Sequence, residues 1–114
     1  MIIESLGKYN VTPSLDFFEG KLAAISSKDL NSELDLKEGS IILVTDTDFN
    51  MPELLNILKI RPAGVIFQEG GAFYHPAICL AAEGIPCIVK PNQDISFLRD
   101  KTVHCDLDEA KIYS

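Results

Sequence analysis

Apolar residues fall along this chain in short runs set between turn-forming residues, a pattern of brief strands and helices. Lys21 to Ile25 follows Glu19-Gly20 and reads as a first strand, beginning where a glycine permits a turn. Polar residues 26–33 lead through Leu34-Asp35-Leu36 to a turn at Lys37-Glu38-Gly39. Ile41 to Val44 is apolar at every position, as in a strand covered on both faces. Asp46 to Asn50 offers several capping side chains, Pro52 suits a first helical turn, and Leu54, Leu55, Ile57 and Leu58 recur at helical spacing. The spacing predicts a helix over 51–60, stopped by Arg61-Pro62 because the residue before proline disfavours helical angles.

Ala63 to Phe67 reads as another buried strand, ending at Gln68-Glu69-Gly70-Gly71. A second short helix is expected over 76–83, with Gly84 at the position that usually terminates one. Ile85 to Val89 is the next strand, its proline near the start costing little there. Residues 102–106 and 111–113 read as a closing strand pair, after a short turn around Ile95 to Leu98. The order is a mixed α/β pattern in one domain spanning residues 1–114, without repeats or a linker.

Composition narrows the function classes. Hydrophobic residues make up 46% of the 114, ample for a single core. No apolar run approaches the roughly 18–20 residues that cross a bilayer, and the N-terminus has neither a basic start nor a long apolar stretch. A cytoplasmic protein with no membrane partner is the expectation. The formal charge of −7, with lysines and arginines scattered, argues against nucleic acid as a partner. Cys79, Cys87 and Cys105 form no Cys-x-x-Cys unit and read as reduced and mostly buried.

Chemistry concentrates in residues 65–78, where His75 stands between the Gly70-Gly71 pair and a helix start. Amides at a helix N-terminus lack intrahelical acceptors and carry the positive end of the helix dipole, so an anion is stabilised there. Gly70 and Gly71 permit close backbone approach, and a neutral imidazole offers one nucleophilic nitrogen while the other is held by a hydrogen bond. The same residues also suit a surface histidine that caps a helix.

Glu69-Gly70-Gly71-x-x-x-His75-x-Ala77-Ile78, followed by Gly84-Ile85-Pro86-x-Ile88-Val89, resembles the signature of the phosphoenolpyruvate-utilising enzyme mobile domain, as in phosphoenolpyruvate synthase and pyruvate phosphate dikinase. The similarity extends over about residues 10–113. It implies an α/β fold, the swivelling β/β/α phosphohistidine domain, with a mixed sheet and short helices. It also implies that His75 accepts and passes on a phosphoryl group between separate nucleotide-binding and phosphoenolpyruvate- or pyruvate-binding proteins or domains. The donor, ATP or phosphoenolpyruvate, would be supplied by those partners, with no cofactor bound tightly; the chain would be a phosphotransferase component rather than a complete enzyme.

Gly70, Gly71, Tyr74, Pro76, Ala77 and Ile78 are the candidate phosphate-binding residues, with Glu69 a weaker candidate. The sequence departs from the family pattern at Tyr74, where Thr or Ser is usual, at Pro76, at Ala82 in place of an Arg, and at Ser14-Leu15-Asp16. Tyr74 and Ala82 both touch the phosphate chemistry and support an alternative, a non-catalytic anion- or protein-binding module that keeps the fold. Phe73 reads as packing, and Asp46 and Asp48 as helix caps. His104-Cys105 lacks the ligand spacing of a metal site, so no metal is expected.

Overall fold

The computed structural model describes residues 1–114 except 13, 27, 30–35, 37, 47–49 and 70–73. Among the described residues seven strands, β1 (Ile2–Tyr9), β2 (Phe17–Ile25), β3 (Ile41–Val44), β4 (Gly64–Phe67), β5 (Cys87–Pro91), β6 (Thr102–Asp106) and β7 (Lys111–Tyr113), close into a barrel in the order β1-β5-β4-β3-β2-β6-β7. Strands β2, β3, β4 and β5 run parallel to their neighbours in that row, while β1, β6 and β7 make antiparallel pairs. Helices α1 (Met51–Ile60) and α2 (His75–Ala82) connect β3 to β4 and β4 to β5.

Alternation along the strands builds two cores. Leu22, Ile41, Leu43, Ile66, Ile88, Val103, Cys105 and Ile112 pack in one buried cluster inside the barrel. Their neighbours Ile42, Val44, Val65, Phe67, Cys87 and Val89 pack in a second cluster with Ile57 of α1 and Ala77 and Leu80 of α2. A parallel strand with both faces covered has no polar position to spare, which is why residues 41–44 and 64–67 are buried throughout.

Both expected helices form, and the expected strands form with shifted ends: the first begins at Phe17 rather than Lys21. The fold class, however, needs correction. The swivelling β/β/α phosphohistidine architecture implied by the resemblance gives way to a closed mixed barrel carrying two short helices. The reason lies in β1, which was not foreseen as a strand. It pairs antiparallel with β5 through Ser5–Pro91 and Gly7–Val89, and with β7 through Ile3–Ile112, and so joins the two ends of the sheet.

Gln68, just past β4, is the buried polar residue that fixes the end of this strand. Its side-chain Nε2 donates to the Gln93 carbonyl at 2.9 Å, and its Oε1 accepts from the Ile95 amide at 3.0 Å. Its own amide donates to the Val44 carbonyl at 3.0 Å, so β3, β4 and the segment after β5 are tied at one end of the barrel. Among the described residues no helix is long and apolar enough to cross a membrane.

Candidate functional site

The chain leaves β3 and β4 at the carboxyl ends of parallel strands, and each exit leads to a helix start. Asn50 is the N-cap of α1 and Tyr74 the N-cap of α2; both have extended backbone angles, and neither side chain makes a capping hydrogen bond. Each helix carries a proline in its first turn, Pro52 and Pro76, with φ already suited to the helix. The two starts face a shared cleft of about 110 Å³ lined by Asn50, Met51 and Leu54 from α1 and by His75, Pro76 and Cys79 from α2. Both helices direct the positive ends of their dipoles toward this cleft, with Glu53 in the first turn of α1 as the acidic side chain nearby.

His75 is the first residue of α2 and is exposed. Its Nε2 lies 3.6 Å from Sγ of Cys79, one helical turn on. Pro76 has no amide hydrogen, and the Ile78 amide donates to the Tyr74 carbonyl at 3.2 Å. The amides of His75 and Ala77 are therefore the donors of residues 75–78 that the helix leaves without an internal acceptor. The Ala77 side chain is buried in the outer core, so only its main chain faces a ligand, while Ile78 is exposed.

Tyr74 turns away from the cleft. Its ring meets Phe67 edge-on, with centroids 4.9 Å apart and planes at 68°, and packs against the outer core. Its hydroxyl oxygen is buried without a hydrogen-bond partner among the described residues. Burial, and then the negative charge of Asp46, raise the phenol's pKa above its usual value. Glu69 is exposed just beyond Gln68, while Gly70, Gly71 and Phe73 lie outside the described residues. Asp48 also lies outside them, and the cap position expected among Asp46 to Asn50 falls to Asn50. Ala82, at the last position of α2, is exposed.

His104 and Cys105, the adjacent pair considered from sequence, point to different sides of the barrel wall, and Cys87 lies apart from both. Cys105 lies inside the barrel, Cys87 in the outer core, and His104 on the outer surface with Nδ1 3.1 Å from Glu19 Oε2 and its ring stacked on Phe17. No group of three or more His, Cys, Asp or Glu among the described residues is arranged to hold a metal. The roomier cavity, about 280 Å³ and bordered by Lys8, Asn10, Asp16 and Asp108, opens at the opposite end of the barrel, where β2 and β5 begin.

Sequence reasoning missed Cys79, Asn50, Met51 and Leu54 as cleft residues, and Gln68 as the clamp. Cys79 had a signal, because it stands four residues after His75 on a helix. The α1 residues had none, since only the barrel brings them beside α2.

Comparisons with known proteins bear on the same region. The family model described as "PEP-utilising enzyme, mobile domain" matches residues 36–109. Phosphoenolpyruvate synthase of Pyrococcus furiosus is 41% identical over 59 residues, which are 51% of this chain and 7% of that enzyme. The chain thus corresponds to a small part of that relative. Aconitase X of Thermococcus kodakaraensis, in its holo-form crystal structure, superposes with a TM-score of 0.66 at 14% identity, covering 99% of this chain and 97% of that one. At that identity the likeness speaks for the fold alone, and it stands in place of the expected swivelling phosphohistidine architecture.

Proposed function

Since this chain belongs to the family of the phosphoenolpyruvate-utilising enzyme mobile domain, we propose that it carries a phosphoryl group on His75 between partner proteins or domains. The observation that carries this reading is the exposed imidazole of His75 at the mouth of a cleft onto which two helix N-termini open. A nitrogen lone pair of His75 attacks the phosphorus of the donor. The N–P bond forms as the P–O bond breaks, and the electron pair leaves with ADP from ATP or with the enolate of pyruvate from phosphoenolpyruvate. Transfer onward runs the same exchange toward an acceptor oxygen.

The His75 and Ala77 amides, together with the glycine pair Gly70-Gly71, are the donors assigned to the phosphoryl oxygens. Their role is to hold charge in place, so catalysis on this chain is positioning and electrostatic stabilisation. Pro76 shapes the first turn and contributes no hydrogen bond, and Tyr74 supports the turn from beneath through Phe67. Donor and acceptor chemistry belongs to partners that bind nucleotide and phosphoenolpyruvate or pyruvate.

The test is the intact mass of wild-type and His75→Ala chains after incubation in native cell extract with ATP or with phosphoenolpyruvate. Acid is avoided throughout, because it hydrolyses the phosphorus–nitrogen bond. One phosphoryl group on wild type alone is the expected result and identifies the donor. No addition with either donor, or equal addition to both chains, overturns the carrier. The former outcome leaves a non-catalytic anion- or protein-binding module.

A further inference from the structure

We propose that Cys79 is a positioning residue for His75, its thiol setting the tautomer and orientation of the imidazole; the inference rests on the carrier reading for its functional meaning. The residue stands four after His75 on α2, which places the two side chains on one face of the helix. Sγ is 3.6 Å from Nε2, and among the described residues it is the side-chain atom within hydrogen-bonding reach of the ring. Both side chains line the cleft at the helix starts. An exposed histidine with no such contact samples several ring orientations, and each lost orientation is entropy that the transfer step would otherwise have to supply.

The direction of the hydrogen bond follows from the chemistry. For Nε2 to act as nucleophile its lone pair must be free of a proton, so the neutral ring carries its hydrogen on Nδ1. The thiol then donates S–H to Nε2. An Nδ1–H ring is the minor tautomer of an unconstrained histidine side chain, and the thiol selects it. When a donor enters the cleft, the S–H···N contact opens and the proton stays on sulfur. The freed Nε2 pair forms the N–P bond while the donor's P–O bond breaks, and the Nδ1 hydrogen remains on the ring. The thiol is left beside the new phosphoryl group.

Two measurements on the full chain test this. The first is the ¹⁵N spectrum of histidine-labelled wild type, Cys79→Ser and Cys79→Val without any phosphoryl donor, with His75→Ala used to assign the signals. The second is the rate of phosphoryl addition to the three chains. The Nδ1–H tautomer is expected to dominate at His75 in wild type and in Cys79→Ser, whose hydroxyl still donates, and to give way to Nε2–H in Cys79→Val. Addition should slow by about tenfold in Cys79→Val and recover toward the wild-type rate in Cys79→Ser. An unchanged tautomer in Cys79→Val overturns the proposal, and so does a wild-type rate of addition in that variant. A wild-type chain that takes no phosphoryl group from any donor overturns the carrier reading instead, and the tautomer spectra then decide the positioning role alone.

Discussion

The ring of Phe18 lies across the barrel interior against the backbone of Gly64, in the space that a Cβ on Gly64 would occupy. Phe18 is on β2 and Gly64 opens β4, with β3 between them, so the glycine makes the slot in which the aromatic ring sits. Gly64→Ala should lower stability by about 1–3 kcal/mol through overpacking, read as a fall in the urea midpoint without a change in slope. In the double variant with Phe18→Leu, the loss should be smaller than the sum of the two single losses, because the smaller side chain vacates the slot. Additive losses would refute the contact as the cause.

The three thiols should react at different rates. Cys87 and Cys105 have no exposed surface, and burial pushes both thiols well above the usual cysteine range. Cys79 is half-buried at the cleft. A thiol-directed disulfide reagent should therefore label Cys79 first in the folded chain and all three only after denaturation, as counted by peptide mass. Labelled chain should also lose phosphoryl addition at His75, since the added group fills the cleft beside Nε2.

Alkaline conditions should weaken the fold. In the unfolded chain the cysteines and tyrosines lose protons near their ordinary values of about 8.5 and about 10, whereas in the folded chain Cys87, Cys105 and Tyr74 hold theirs to higher pH. Above those ordinary values the folded state binds more protons than the unfolded one, so stability falls as pH rises. The urea midpoint should be steady between neutrality and about pH 8 and then decline. Replacing Cys105 by Ala should flatten that decline while lowering stability at neutral pH through the cavity it leaves.

Much of the barrel was legible in the sequence where burial on both faces leaves an unbroken apolar run, as at Ile41–Val44 and Val65–Phe67. Strand β1 was not, because only Ile3 of its eight residues is fully buried, and Glu4, Ser5, Gly7 and Lys8 dilute any alternation. Its two pairings join residues near opposite ends of the chain, from Tyr9 with Cys87 to Ile2 with Tyr113, a relation that local pattern does not record. That single strand separates an open mixed sheet from a closed barrel. At the site, a histidine opening a helix was evident from Pro76 and the apolar spacing after it. The α1 side of the cleft was hidden, because Asn50, Met51 and Leu54 meet His75 only through strand order.

Gln68 should be costly to replace. Its 9% exposure leaves little water to compensate the Ile95 amide and the Gln93 carbonyl once the side chain is gone. Gln68→Ala should destabilise the chain by about 1–3 kcal/mol. Gln68→Glu keeps the acceptor for Ile95 but sets a carboxylate oxygen against the Gln93 carbonyl, and should fare no better at neutral pH. Hydrogen exchange at Ile95 provides a local readout: faster exchange in both variants is expected, and unchanged protection would refute the clamp.

Each of the seven described strands has two neighbours, β1 and β2 dividing their length between theirs, so no described strand runs along an open edge of the sheet from end to end. An open edge invites strand addition, which binds through a ladder of main-chain hydrogen bonds and releases slowly. A closed sheet meets other molecules through side chains and helix ends alone. On the carrier role proposed above, a chain that visits one partner, takes up a phosphoryl group and lets go before reaching the next is served by contacts of this kind, which release more readily than a strand ladder.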